Sequence, residues 1–209
     1  MDDVTAIVSD GPTSGLGMVI VRSAADDLRV AQAIEDAGGR LCDTLVYYAR
    51  ALDRAIPEQR RPIRLAHPND IDEITAIAAG AFARYGGHYH ADPRLDAEAA
   101  DAAYVDWARR SITGSDMLVI EDSGVVAGFL SMEPRAADTE IVLNAVRPDS
   151  QGRGLYPALV IGALHRSVQL QARRCIISTQ IGNVPAQKVW VRTGFEPTHA
   201  VHTFHLWFA

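Results

Sequence analysis

A short glycine-containing segment, residues 151–154, has the clearest chemical potential in the sequence. Gly152 and Gly154 stand between a predicted strand that ends at Val146 and a predicted helix with Pro157 in its first turn. Glycine lets a ligand approach the backbone closely, and proline suits the first turn of a helix. The free N–H groups at a helix start attract anions. The segment therefore predicts a pyrophosphate site, although a simple turn would also explain two glycines.

Two other phosphate-binding motifs are excluded at this segment. No Gly-Lys-Ser/Thr follows the glycines, so the segment is not a P-loop. The dinucleotide pattern GxGxxG is absent, and the preceding run of strands does not fit a first βαβ unit.

Three side chains are candidate proton acceptors. Glu140 lies on the strand before the glycine segment, where alternation places it on the same face as Asn144 and Val146. A solvent-facing carboxylate at a strand edge is the alternative for Glu140. His88 and His90 lie in a glycine-containing loop and titrate near neutral pH. For them, contact with a substrate stands against a surface or capping role.

No metal site is predicted. His88, His90 and Asp92 could provide three ligands, but no fourth ligand is apparent nearby. The cysteines Cys42 and Cys175 are far apart and form no CxxC pair. Both lie in apolar, strand-like runs, which indicates buried reduced thiols.

Alternating strands and helices are predicted to position these residues in an α/β fold with a mixed sheet. Residues 1–60 are predicted to form a small N-terminal α/β lobe, and residues 61–209 the main domain. Strands are predicted at 4–8, 18–21, 41–48, 63–66, 117–121, 125–132, 140–146, 175–180 and 196–208. Helices are predicted at 24–37, 70–82, 97–111, from the glycine segment to about 172, and at 185–193. Asp122-Ser123-Gly124 is the strongest hairpin signal.

Composition narrows the class of protein. The chain has 209 residues, 48% of them hydrophobic and 22% charged, which is typical of a globular protein. Its net charge of −6 and the lack of a long basic cluster argue against a nucleic-acid partner. No apolar run approaches the roughly 18 residues of a membrane span, and Met1-Asp2-Asp3 lacks the basic start of a signal peptide. A cytoplasmic protein with no membrane partner is expected.

Two separated motifs resemble one enzyme superfamily. Gln151-Gly-Arg-Gly154 after Asn144-Ala-Val-Arg-Pro resembles the acyl-CoA pyrophosphate loop of GNAT N-acetyltransferases. Asn183-Val-Pro-Ala186, Trp190 and Gly194-Phe195 are similar to the closing block of that superfamily. The resemblance covers about residues 62–209. A narrower resemblance, to dTDP-fucosamine acetyltransferases, rests on Ser178-Thr-Gln180-Ile-Gly-Asn183 and on the lobe that contains Asp43-Thr-Leu-Val-Tyr.

The resemblance implies a GNAT-like fold with two splayed central strands and acetyl-CoA as co-substrate, without a metal. The backbone near Asn144 would pair with the pantetheine arm, the amides of residues 152–156 would bind the pyrophosphate, and Trp190 would flank the thiol. The residues implied to bind CoA are Asn144, Ala145, Val146, Gln151, Gly152, Arg153, Gly154, Leu155, Tyr156, Asn183, Ala186 and Trp190.

Two residues depart from the family pattern. Tyr156 stands where the loop usually ends in glycine or alanine, and Trp190 stands where a tyrosine usually protonates the departing thiolate. An indole N–H donates a hydrogen bond but does not release its proton at physiological pH. The tyrosine acid therefore cannot be assigned to position 190.

The resemblance implies an N-acyltransferase that acts on a small-molecule amine by direct transfer, with Glu140 or the His88/His90 pair as base. An amino sugar of a sugar nucleotide is the expected acceptor. The alternatives are another small amine of secondary metabolism and a catalytically silent CoA-binding module. A homodimer is one alternative for the oligomeric state.

Overall fold

A computed structural model describes residues 15–83 and 85–208. Within them, eight strands form one sheet in the order β1-β8-β2-β7-β6-β5-β4-β3. The strands are β1 (Met18–Ala24), β2 (Arg40–Ala51), β3 (Arg64–Leu65), β4 (Asp116–Asp122), β5 (Val125–Arg135), β6 (Asp138–Val146), β7 (Arg174–Gln180) and β8 (Glu196–Trp207). Neighbouring strands are antiparallel except for β6 and β7, which are parallel. The predicted mixed α/β fold is confirmed.

Six helices cover the two faces of the sheet in the described chain. They are α1 (Leu28–Asp36), α2 (Ile71–Phe82), α3 (His88–Ala91), α4 (Ala97–Gly114), α5 (Leu155–Gln169) and α6 (Val184–Arg192). One core contains Leu159 of α5 and Trp190 of α6, and a second contains Ile77 of α2 and Tyr104 of α4. None of these helices is long and apolar enough to cross a membrane.

Local signals predicted some boundaries well and others badly. The hairpin between β4 and β5 is confirmed, with Ser123 and Gly124 at φ values of 56° and 82°. The helix predicted from residue 24 is wrong at its start, because β1 continues to Ala24 and pairs there with β8. The helix begins at Leu28, where the Asp27 side chain accepts a hydrogen bond from the Val30 amide at 3.2 Å. The strand predicted at 4–8 lies outside the described residues.

The first described strands share the sheet with the rest of the chain. β2 lies between β7 and β8 and is antiparallel to both. It also buries Tyr48 against Trp190, and the Arg50 guanidinium donates to the Thr193 carbonyl at 2.7 Å. The predicted boundary near residue 60 stays a prediction, but these contacts indicate how to test it.

A chain that begins at residue 61 is expected not to fold cooperatively, because β7 and β8 would each lose the antiparallel neighbour between them. Circular dichroism during thermal unfolding, compared with the full chain, measures this. Adding residues 1–60 as a separate polypeptide should restore a folded complex. A truncated chain that unfolds as sharply as the full chain would instead support an independent main domain.

Candidate active site

A large cavity lies where β6 and β7 part. The two strands pair from Thr139 to Ile141, opposite Cys175 to Ile177, and no register continues beyond Ile141 in the described chain. Val142 is an extra residue in the register between β6 and β5, and such a bulge bends a strand. The cavity that opens between the diverging strands has a volume of about 770 Å³. Its walls therefore include backbone that the sheet leaves unpaired.

The glycine segment forms one end of this cavity. Gly152 and Gly154 both have a φ of 76°, a left-handed conformation that favours glycine, and both line the cavity. Neither would place a Cβ within 4 Å of another group, so the backbone conformation, and not crowding, requires them. Gly154 precedes the first residue of α5, which has 15 residues. The free amides at that helix start can bind an anion.

All but one of the residues predicted to bind CoA line the cavity. The exception is Arg153, whose guanidinium forms an ion pair with Asp122. Asn183 caps α6, since its side chain accepts from the Ala186 amide at 3.4 Å and donates to Thr179 Oγ1 at 2.9 Å. Contact of these residues with CoA stays a prediction.

The two residues that depart from the family pattern touch each other. Trp190 Nε1 donates a hydrogen bond to the Tyr156 hydroxyl at 2.8 Å, and Trp190 is 1% exposed. Burial raises the pKa of the Tyr156 phenol, which therefore stays protonated at neutral pH. Because the phenol oxygen accepts a hydrogen bond from the indole N–H, the phenol O–H is available to another acceptor. A hydroxyl thus stands beside position 190 although the residue there is an indole.

Glu140 lies in the cavity wall as predicted, but it is paired. Its Oε2 accepts from Arg135 Nε at 2.7 Å, and its side chain is 18% exposed. Arg135 also forms an ion pair with Glu133 at 2.9 Å. The guanidinium engages the carboxylate, which makes Glu140 less available as a proton acceptor.

The two predicted histidines separate. His88 lines the cavity, and its Nδ1 lies 2.9 Å from His205 Nε2. Burial lowers the pKa of the His88 imidazole to about 4, so the ring is neutral at pH 7. His90 does not line the cavity, and its Nε2 lies 2.8 Å from Asp101 Oδ1. His88 therefore remains a candidate proton acceptor, whereas His90 packs beside α4.

The side chains that sequence reasoning missed come largely from the N-terminal strands. Arg22 of β1 and Asp43 of β2 line the cavity beside Gln180 and Tyr85. Asp43 Oδ1 is buried and has no hydrogen-bond partner in the described chain, while Oδ2 accepts from Gln180 Nε2 at 3.4 Å. Gln180 Oε1 in turn accepts from the Tyr85 hydroxyl. The sequence pointed to the run at Asp43 only as part of the lobe, since nothing local places it opposite His88.

A different group of residues comes within metal-binding distance from the one considered from sequence. In the described chain, ligand atoms of Cys42, Asp92 and His205 lie within 4.8 Å of one another. Asp92 Oδ1 accepts from the Arg94 amide at 3.1 Å, and Oδ2 accepts from Trp207 Nε1 at 2.8 Å and lies 3.0 Å from His205 Nδ1. Asp92 and His205 are thus hydrogen-bonded to each other or to neighbours, and Cys42 Sγ donates to the Arg40 carbonyl at 3.3 Å.

Comparison with known proteins shows the family of the chain. The family model described as the acetyltransferase (GNAT) family matches residues 82–195, more than half of the chain. The chain therefore belongs to the GNAT acetyltransferase family. The match covers the chain from the end of α2 to Phe195 and leaves out β1, β2, β3 and the whole of β8.

Individual relatives are more distant. The chain is 26% identical over 142 residues to the spore coat polysaccharide biosynthesis protein SpsD of Bacillus subtilis, covering 67% of this chain and 48% of that protein. It spans about half the length of the curated relatives it matches.

Solved structures share the fold. A GCN5-related N-acetyltransferase from Sphaerobacter thermophilus superposes with a TM-score of 0.64 at 20% identity, over 90% of this chain and 60% of that one. The Salmonella typhimurium acetyltransferase YncA, solved with its cofactor acetyl-CoA, has a TM-score of 0.50 at 20% identity, over 71% of this chain and 94% of that one.

Replacing Gly154 with valine is expected to weaken acetyl-CoA binding at least tenfold, about 1.4 kcal/mol, because a β-branched residue resists a positive φ and adds bulk beside the helix start. Isothermal titration calorimetry measures the affinity. Gly38→Val is the matched control, since Gly38 has a φ of 86° and lies outside the cavity. Equal affinity in the Gly154 variant and the native chain would refute a pyrophosphate site here.

Trp190→Phe is expected to keep most of the acetyl-CoA affinity, because an aromatic ring still fills the wall. Trp190→Ala should lower the free energy of unfolding by roughly 3–5 kcal/mol. It should also lose much more of the acetyl-CoA affinity than Trp190→Phe does. Urea unfolding and calorimetry separate the two effects. Large and equal affinity losses in both variants would show that the indole N–H itself is required.

Proposed function

We propose that the protein is an acyl-CoA-dependent N-acyltransferase that transfers an acyl group, acetyl in the simplest case, directly to a small-molecule amine. The observation that carries the proposal is that one cavity joins the positive-φ glycine segment to His88. Membership of the GNAT family supports the same reaction.

In this proposal acyl-CoA occupies the part of the cavity between β6 and α6. The amides of residues 152–156 bind the pyrophosphate, where the helix start favours negative charge. The edge of β6 from Asn144 to Val146 pairs with the pantetheine amides. Ala186 and Trp190, which line the cavity, flank the thiol end.

Transfer needs one bond to form and one to break. The amine nitrogen attacks the thioester carbonyl, the C–S bond breaks, and CoA leaves as the thiol. A backbone N–H of β6 beyond Ile141 stabilises the oxyanion. A thiol with a pKa near ~8.5 is a tolerable leaving group at neutral pH. The Tyr156 hydroxyl therefore needs only to donate a hydrogen bond to the sulfur, and water can deliver the proton.

His88 is the preferred base. It lines the cavity, it is neutral at pH 7, and its Nε2 has no hydrogen-bond partner in the described chain. Glu140 of β6 is the second candidate base, and it would act through a water molecule. Its ion pair with Arg135 weighs against it.

The charges at the other end of the cavity fit a cationic acceptor that carries phosphate. The unpartnered oxygen of Asp43 suits an ammonium group, and Arg22 forms no ion pair in the described chain and suits a phosphate. An amino sugar linked to a nucleotide has both groups. The narrower sequence resemblance supports this acceptor, as does SpsD, a relative named for polysaccharide biosynthesis.

Two alternative functions are each supported by a specific residue. Another small amine of secondary metabolism would satisfy Asp43 equally well. A catalytically silent CoA-binding module is favoured by Trp190, because the tyrosine acid is missing at that position.

The function is tested by incubating the protein with acetyl-CoA and a panel of amines, among them nucleotide-linked amino sugars, and measuring CoA thiol release. Amino sugars should react, and the matched sugars with a hydroxyl in place of the amine should not. Thiol release that is the same with and without every amine, together with tight acetyl-CoA binding, would favour the silent module.

The base is tested with single substitutions assayed with the fastest amine of that panel. His88→Ala should lower kcat by about 10²–10⁴-fold and leave the KM for acetyl-CoA nearly unchanged. His90→Ala is the matched control and should lose little, since its ring lies outside the cavity. If Glu140→Gln loses more activity than His88→Ala, the carboxylate is the base.

A further inference from the structure

Three buried side chains form a line that ends in the cavity. Asp92 Oδ2 lies 3.0 Å from His205 Nδ1, and His205 Nε2 lies 2.9 Å from His88 Nδ1. His205 is 0% exposed and Asp92 is 1% exposed, whereas His88 reaches the cavity. The line connects His88 of α3 and Asp92, which directly follows α3, with His205 of β8, more than 100 positions later in the sequence.

For a neutral His205, the hydrogen-bond partners assign the protons of both rings. Burial alone would raise the pKa of the Asp92 carboxyl, but hydrogen bonds from Trp207, Arg94 and His205 outweigh it, and the net shift is downward. An ionised carboxylate only accepts, so His205 Nδ1 carries the proton that bonds to it. The Nε2 of a neutral His205 is then an acceptor, and His88 Nδ1 is its donor. His88 Nε2 is left as a bare lone pair.

We infer that Asp92 and His205 form a proton relay behind His88, an inference that rests on the proposed function. When His88 Nε2 takes a proton from the attacking amine, the proton on His88 Nδ1 passes to His205 Nε2. His88 returns to a neutral ring, and the imidazolium forms on His205 beside the Asp92 carboxylate. Asp92 and His205 are positioning residues, since neither reaches the substrate.

The charges around His88 explain why a relay is useful there. Burial lowers the pKa of His88, as do His205 and Arg22 of β1, while Asp43 of β2 acts in the opposite direction. Tyr89 lies on the same short helix, with its ring centroid 4.0 Å from that of His88. An isolated His88 would therefore hold a proton weakly. His205 is buried, and its Nδ1 lies 3.0 Å from the Asp92 carboxylate, so a proton that reaches His205 lies beside a negative charge.

The alternative is that these contacts only anchor the loop. Asp92 also accepts from the Arg94 amide, and the Arg94 guanidinium lies 5.0 Å from the Trp207 ring centroid, so the cluster holds residues 85–96 against β8. An anchor requires the hydrogen bonds but not proton transfer. The two roles are separable by experiment.

The resting state is tested by long-range ¹⁵N NMR of the imidazole rings in the full chain at pH 7. Both His88 and His205 should be Nδ1–H tautomers, which are the less common form of histidine in water. The spectrum needs no substrate, so it tests the relay even if the proposed function fails. A proton on His88 Nε2 or on His205 Nε2 would overturn the inference.

Proton transfer is tested by two substitutions of His205. The glutamine carbonyl of His205→Gln can accept from His88 Nδ1 and keep its tautomer, but it cannot take up a proton. His205→Asn keeps a donor for Asp92 and loses the contact with His88. Both variants should lose at least tenfold in kcat, with the rate rising more steeply with pH than in the native chain, and with the KM for acetyl-CoA unchanged.

Further results would overturn the relay. If His205→Gln kept native kcat and pH dependence while His205→Asn lost both, orientation alone would matter. If chelator lowered activity and shifted the His205 resonances, and zinc restored them, Cys42, Asp92 and His205 would be a metal site.

If either His205 variant does not fold, two other measurements decide: the NMR tautomers of the native chain, and the kcat and pH profile of Asp92→Asn. In Asp92→Asn an amide would donate to His205 Nδ1, which would reverse both tautomers. Asp92→Asn with native kcat would count against the relay.

Discussion

The parting of β6 from β7 is the constraint on which the rest of the site depends. Buried backbone N–H and C=O groups need partners, and a strand that leaves its neighbour gives up those partners. The extra residue at Val142 bends β6 just where pairing with β7 ends, after Ile141. The polar backbone exposed beyond that point can be satisfied by an extended, amide-containing ligand. β6 ends at Val146, and the glycine segment and the start of α5 follow it along the chain.

The two ends of the cavity come from different parts of the chain. The end near α5 and α6 lies within residues 82–195, which match the family model. The other end takes Arg22 from β1 and Asp43 from β2, and its relay uses His205 of β8, all outside that match. Because β2 lies between β7 and β8, the N-terminal strands bring their charges directly to the cleft. Acceptor selectivity is therefore expected to vary with these strands.

The two residues that depart from the family pattern, Tyr156 and Trp190, are hydrogen-bonded to each other. Trp190 and Tyr156 are each unusual at their positions, yet the indole donates to the phenol at 2.8 Å. A buried indole N–H without a partner would cost about 1–3 kcal/mol. The Tyr156 hydroxyl thus accepts the hydrogen bond that the buried Trp190 indole needs, and the two rings together form one wall of the cavity.

The sequence by itself determined what is local. The glycine segment, the hairpin at Ser123 and Gly124 and the alternation that turns Glu140 towards the cavity all follow from neighbouring residues, because turns, helix starts and strand faces depend on short-range backbone geometry. Only the tertiary structure placed β2 between β7 and β8 and set Asp43 and His205 around His88. The contact between His88 and His205, for example, joins residues 117 positions apart. Residue spacing carries no information about such contacts, since strand order and packing, and not local propensity, decide which distant side chains meet.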